Sequence, residues 1–380
     1  MKHEVYFAAL IRGNIIEKTK LPWIVSYEPD AASPAELNIS ITNENEAEEK
    51  IKQGFKNYSQ GKIPSKVNIS CNGKDYSYVT APDFKSSNAA EAAVSRSNAA
   101  KSCCDKQALK NRIALVTGGA QGFGEEIVRG LVDAGAIVFI ADLNIQGAEK
   151  LAQTLNKEHG KTTAFAAEVN VADEATVEKM FETIALKAGG LDLCISNAGV
   201  LRAAPILEQD MASFRFVTDI NYTAFAIISK HCGLLMKAQN LCAPAWFTDI
   251  IQINSKSGLE GSNKNGSYAG SKFGSIGLVQ SFAKELVEYH IKVNAVCPGN
   301  FFDGPLWSDP ENGLFVQYLK TGKVPGAKTV EHVKAHYEAM VPMGRGCTGP
   351  DVIRAVLYLV EQVYETGQAL PVTGGQVMLN

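Results

Sequence analysis

The chain lacks any hydrophobic run near the roughly 20 residues that cross a bilayer, so no membrane partner is expected. It also lacks an excess of either charge: 37 Lys and Arg face 40 Asp and Glu, a net charge of −3. That balance gives no basic face for nucleic acid or an acidic lipid surface. The eight cysteines, at 71, 103, 104, 194, 232, 242, 297 and 347, never form a Cys-x-x-Cys pair. No zinc ribbon or other metal is therefore expected, and a chain of 380 residues does not need disulfides. Cys194 and Cys297 lie inside apolar runs and read as small core residues. Met1 to Leu10 includes Glu4 and shows no secretory cleavage pattern, so a cytoplasmic protein is expected. What remains is ordinary globular composition, 46% hydrophobic and 20% charged, with length for one large domain and one small.

One stretch, Ile253 to Lys272, organises the rest. Ile250, Ile251 and Ile253 read as a buried strand that ends at polar Asn254 and Ser255. A loop rich in Gly, Ser and Asn follows, and a helical pattern opens at Tyr268. Tyr268 and Lys272 are four apart and share a helix face. A phenol titrates near 10, too high for easy proton exchange at neutral pH, and a nearby ammonium is expected to lower it. A serine at the strand end can then hold a substrate oxygen while the tyrosine passes the proton.

Upstream, residues 1–82 read as a small α+β domain. Val5 to Ile11 and Leu37 to Ile41 read as strands, and a helix capped by Thr42 and Asn43 runs over Glu46 to Tyr58. Val67 to Ser70 and Tyr76 to Val79 form a hairpin about Asn72-Gly73. The acidic start of that helix is expected to be solvated and dipole-matched rather than metal-binding. Residues 83–110, rich in Ser, Ala, Asn and Lys, read as a linker, with transient helix over Ala89 to Val94 and with Cys103 and Cys104 carrying no role.

From 111 to 380 strands and helices alternate, which implies α/β architecture with a doubly wound parallel sheet. The strand Ile113 to Thr117 runs into Gly118-Gly-Ala-Gln121-Gly122-Phe123-Gly124 and then a helix. Glycines there let the backbone approach a pyrophosphate, whose charge the helix N-terminus favours. A second strand ends in Asp142, placed to accept hydrogen bonds from an adenosine ribose and to repel a 2′-phosphate. No Lys or Arg lies in the loop or directly after Asp142, so NAD is the expected cofactor.

These motifs, in this order, resemble the short-chain dehydrogenase/reductase family over roughly the last seven-tenths of the chain. Thr117 to Gly124 is similar to its nucleotide loop, Asn197-Ala198-Gly199 to its fourth-strand motif, and Pro298-Gly299 to the turn bordering the nicotinamide. Asn221 falls at its helix asparagine, and Ser255 precedes Tyr268 by the family's thirteen positions. The resemblance implies a Rossmann-like fold and a Ser255, Tyr268, Lys272, Asn221 proton relay, with Lys272 also on the nicotinamide ribose. Glu168-Val169 stands where the family has Asp-Val against the adenine, and Asp303 where it often has Thr.

Within the family, Ile251 to Gly258, Val341 to Cys347 and Thr373 to Met378 resemble a polyol-phosphate dehydrogenase, implying a sugar or polyol phosphate as small-molecule substrate. Such a substrate needs cations at the pocket mouth, for which Arg202 and Lys256 flank motif residues and Lys264 precedes Tyr268. A reductase of another secondary alcohol or ketone is the alternative. A non-catalytic regulatory protein on this scaffold would have no chemical need of the intact relay. Phe301 to Met340 reads as a helical flap over the substrate. Gly270, Gly274 and Gly277 on the Tyr268 helix suit close approach of another helix, and a homodimer or homotetramer is expected by resemblance.

Overall fold

A computed structural model describes residues 1–29, 34–58, 62–84 and 108–378. The expected helix over Ala89 to Val94, and Cys103 and Cys104, lie outside the described residues. The N-terminal part is built from α1 (His3–Thr19), β1 (Ile24–Tyr27), β2 (Leu37–Ile41), α2 (Ala47–Asn57), β3 (Lys66–Cys71) and β4 (Lys74–Ala81). Its four strands form a mixed sheet in the order β1-β4-β3-β2. Asn72 and Gly73 take positive φ at the β3–β4 turn, as the hairpin signal requires. Asn43 accepts from the Asn45 N–H at 3.1 Å at the head of α2.

Val5 to Ile11 is helix, not strand. The run is apolar on every side because α1 is buried on two sides, and a short continuous apolar run has no period to distinguish the two. One flank packs Phe7, Leu10, Ile11 and Ile15 against the small sheet and α2. The other sets Val5 and Ala9 into the core of the larger part.

That larger part carries β5 (Ile113–Thr117), α3 (Gly122–Asp133), β6 (Ile137–Asp142), α4 (Ile145–His159), β7 (Ala164–Glu168), α5 (Glu174–Ala188) and β8 (Leu193–Ser196). There follow α6 (Met211–Thr218), α7 (Ala224–Asn240), β9 (Thr248–Ile253), α8 (Gly266–Leu286) and β10 (Ile291–Pro298). The flap contributes α9 (Pro305–Ser308), α10 (Leu314–Lys320) and α11 (Val330–Ala339), and α12 (Gly349–Glu361) leads to β11 (Ala369–Val372). Seven parallel strands run in the order β11-β10-β9-β8-β5-β6-β7. Two apolar clusters lie on the sheet's two faces, one with α5, α7 and α8, the other with α3, α4 and α12. Strand order reverses between β5 and β8, which opens a crevice at their carboxyl ends.

The two parts are joined by a buried ion pair. Arg12 of α1 donates to Asp192, just before β8, through Nη1 to Oδ1 at 3.0 Å and Nη2 to Oδ2 at 2.6 Å. Its Nε donates to the Trp23 carbonyl at 2.8 Å, and Nη1 also donates to Gln239. Asp192 further accepts from the Ile113 N–H at 2.8 Å and the Trp246 indole at 3.0 Å. Burial pushes that carboxyl up, but the guanidinium and these donors outweigh it and hold it below the ordinary range. Gly13 lets α1 come this close: a Cβ there would lie 2.1 Å from the Gln239 carbonyl oxygen. Gly13→Val is therefore expected to lift α1 from α7 and lower the urea midpoint, with the far-UV circular dichroism of the native state little changed.

Candidate active site

The crevice holds a cavity of about 650 Å³ lined by the glycine loop, the ends of β6, β8, β9 and β10, the start of α8, and the flap. Thr117 Oγ accepts from the N–H groups of Asn197 and Ala198 at 3.1 and 3.2 Å. In return Asn197 Nδ2 donates to the Thr117 and Gly118 carbonyls, both at 3.0 Å. These bonds lock β8 onto the loop. A Cβ at Gly124 would sit 1.9 Å from the Gly118 oxygen, so the turn admits only glycine. Gln121, Gly122 and Phe123 line the cavity where α3 begins, and Asp142 lines it from the end of β6. Asp142 is fixed by the Ala120 and Asn144 N–H groups at 3.0 and 2.9 Å. A glycine cradle at a helix N-terminus, with a fixed carboxylate one strand away, fits a nicotinamide dinucleotide.

Ser255, Tyr268 and Lys272 line the same cavity, with Pro298 and Gly299 bordering it. Asn254 sets the serine: its Oδ1 accepts from the Ser255 N–H at 2.8 Å and its Nδ2 donates to the Lys272 carbonyl at 3.0 Å. Lys272 is buried, and its Nζ donates to the Ile253 carbonyl at 2.9 Å. Burial lowers its pKa to about 8. Burial also raises Tyr268, against the opposing effect of the Ser255 hydroxyl. The expected drop in the phenol's pKa is thus not what this geometry gives. Lys272 Nζ stands 5.8 Å from the ring centre, and desolvation of both groups wins.

Asn221 lies in a π-helical turn, Asp219–Thr223, between α6 and α7. Its amide closes on both polar groups of Val200, accepting at 2.8 Å and donating at 2.9 Å, and donates to Ser271 at 3.2 Å. Helical backbone runs on from α6 through that turn into α7, and such a π-turn is a deviation frequent at functional sites.

Three of the singled-out positions lie outside the cavity. Glu168 pairs with Asp142 across β7 and β6, but its side chain is exposed and outside the cavity, whose wall there is Val169, Asn170 and Val171. Arg202 turns away: its guanidinium stacks 4.1 Å from the Phe216 ring centre and donates to Ser213 at 3.1 Å. Asp303 is exposed, 3.9 Å from Lys334, and does not line the cavity. Lys256 does line it, and so does Lys323, which no local motif marks. Only the fold of the flap brings Lys323 there.

The flap packs on its own aromatic cluster, Phe302, Trp307, Phe315, Tyr318 and Tyr337. It leans on the glycine loop through Phe301, stacked 4.3 Å from Phe123. Among the described residues, no group of three or more His, Cys, Asp or Glu converges as metal ligands. Nor is any helix among them long and apolar enough to cross a membrane.

The short chain dehydrogenase family model matches residues 112–307, more than half of the chain. The chain belongs to that family. Sorbitol-6-phosphate 2-dehydrogenase of Escherichia coli (strain K12) is 33% identical over 271 residues, 70% of this chain and 99% of the relative. The 3-oxoacyl-[acyl-carrier-protein] reductase FabG of Aquifex aeolicus is 28% identical over 269 residues, covering 70% of this chain and 98% of its own. Among solved structures, the sorbitol-6-phosphate 2-dehydrogenase SrlD from Erwinia amylovora superposes with a TM-score of 0.65 at 36% identity, covering 70% of this chain and all of its own (100%). As a short-chain dehydrogenase the protein is an oxidoreductase acting on a CH–OH group, and its N-terminal sheet lies before the matched region.

Proposed function

We propose that the protein is an NAD-dependent dehydrogenase of the cytoplasm that interconverts a polyol phosphate and a ketose phosphate, with sorbitol 6-phosphate and fructose 6-phosphate as the pair. The observation that carries this reading is a single cavity with Ser255, Tyr268 and Lys272 on its floor and half-buried lysines on its wall. The name of the 33% identical relative supports the substrate. The FabG relatives keep a reductase of another hydroxyl compound as the second reading.

When bound, the nicotinamide ring accepts or supplies the hydride. The chain's own residues handle the oxygen and its proton. In ketone reduction Ser255 Oγ holds the carbonyl oxygen, and the Tyr268 phenol donates a proton to it. Lys272 sets charge beside the phenol and binds the ribose hydroxyls. Because burial raises Tyr268, the phenol is the resting form at neutral pH, the form that donates. Reduction is therefore expected to hold across neutral pH and fall as pH rises through the tyrosine's titration, while alcohol oxidation rises over that interval. A pH–rate profile in both directions checks this, and parallel profiles would contradict it.

Asp142 supports NAD over NADP. Asp142→Ser is expected to weaken NADH by about 10- to 100-fold, the value of one lost charged hydrogen bond, and to narrow the preference over NADPH. Fluorescence titration with both dinucleotides reads this. The substrate is tested by NADH oxidation with fructose 6-phosphate beside fructose and NADPH controls. A kcat/KM for fructose 6-phosphate with NADH far above that for fructose or with NADPH supports the reading, and equal turnover of fructose removes it. Homo-oligomer formation is part of the proposal. Cβ atoms at Gly270 and Gly277 on α8 would meet nothing within 4 Å, and Phe273 between them is exposed, so a neighbouring subunit has room there.

A further inference from the structure

Lys323 stands in the turn after α10, on the flap, with its ammonium directed back at the loop that precedes Tyr268. The Asn265 amide oxygen accepts from its Nζ at 2.8 Å, and the Ser262 hydroxyl lies at 3.4 Å. Nζ also sits 4.2 Å from the Tyr318 ring centre. Each of these partners is neutral. Among the described residues no carboxylate comes within ion-pair distance of Lys323, although it is half-buried.

Lys256 follows Ser255 directly and lines the same cavity, also half-buried. It has no ion pair or side-chain hydrogen bond among the described residues. Glu260, the carboxylate that acts on it, is exposed and does not close on it. Lys264, the third ammonium of the group, is already engaged with the Thr321 carbonyl at 2.7 Å. Two ammonium groups from elements more than 60 residues apart therefore share one cavity, and Glu260, the carboxylate that lines it near Lys256, forms an ion pair with neither among the described residues.

Such an arrangement is unfavourable when empty. Burial lowers Lys323 to about 8, and the charges of Lys256 and Lys264 act in the same direction. Lys256 is lowered by burial too. An anion that restores both charges gains what the empty site lacks. A sugar phosphate carries nearly two negative charges at neutral pH, enough for both lysines, whereas a carboxylate would satisfy one. Ser262 and the loop amides add neutral donors on the same wall.

We infer that Lys256 and Lys323 form a two-lysine clamp for the substrate's terminal phosphate, with Lys323 delivering its charge from the flap. The clamp rests on the polyol-phosphate reading and names the groups that would enforce it. It also gives the flap a chemical role, because a phosphorylated substrate ties the flap to the loop after the catalytic serine and an unphosphorylated one does not. Lys323 is in this account a specificity residue and leaves the proton transfer to Tyr268.

The experiment compares wild type, Lys256→Met, Lys323→Met and Lys323→Arg in NADH-dependent reduction of fructose 6-phosphate and of fructose. Each methionine variant is expected to raise KM for the phosphate by about 10- to 100-fold, the range for one charge-assisted hydrogen bond. KM for fructose, and kcat, should stay within about 3-fold, and Lys323→Arg should recover most of the loss. A lysine that only braced the flap would change kcat, or would change both substrates alike, and either result overturns the clamp. A second readout separates the clamp from the substrate reading: calorimetric titration of the enzyme with NAD+ by inorganic phosphate. If wild type reduces no fructose 6-phosphate yet binds phosphate, and the double methionine variant does not, the substrate reading fails and the clamp stands. Phosphate binding that is absent from wild type, or equal in the double variant, overturns the clamp.

Discussion

Tyr268→Phe is expected to cut turnover by about 10²- to 10⁴-fold, the contribution of a positioned general acid, while NADH binding is unchanged. The phenol has the two neighbours such a role needs, Ser255, whose hydroxyl acts on it, and Lys272 one turn along α8. The ring lies against the cavity wall, so losing its hydroxyl removes the proton donor without opening space. Stopped-flow reduction under single-turnover conditions reads the chemical step directly. Near-normal rates would take Tyr268 out of the mechanism, and a matching loss of NADH affinity would make its role one of cofactor binding.

The second large effect is far from the chemistry. Arg12→Met is expected to cost about 3–5 kcal/mol of stability, because it leaves the Asp192 carboxylate buried and unpaired. The sign of the pH dependence distinguishes this from simple packing loss. In the wild type Asp192 titrates below its unfolded value, so its stabilisation is present above about pH 4 and is lost as pH falls through the folded value. In the variant, burial without the guanidinium raises the folded value, so the deficit is full at neutral pH and shrinks in acid. Adding Asp192→Asn to Arg12→Met removes the stranded charge and should recover much of the loss. Urea melts at pH 7 and pH 4 measure all of this. A deficit independent of pH, unrelieved by the asparagine, would mean the ion pair contributes little.

How far the sequence revealed this protein depended on whether a signal was local. The glycine loop, Asp142 and the Ser255–Tyr268–Lys272 set were legible because each is a short motif at the end of one strand or the start of one helix. The α1 helix was not, because a segment buried on both flanks shows no period. Arg202 was a poor guess for a different reason. Sequence adjacency to Asn197–Gly199 said nothing of Phe216, whose ring holds the guanidinium outside. Glu168 was misplaced, since the strand ends with it exposed and the cavity wall begins just beyond. Lys323 was illegible altogether: its proximity to Lys256 is a property of the folded flap.

The tie between Arg12 and Asp192 lies at the opposite end of β8 from Asn197, about 16 Å away over the five steps of extended chain from 192 to 197. The N-terminal lobe is thus a handle on the rim away from the cavity mouth. Surface changes on that lobe, or a fusion partner attached through it, leave substrate and cofactor access free. The same geometry sets the limit on trimming: the handle's exterior is replaceable, but α1 is part of the core that both parts share.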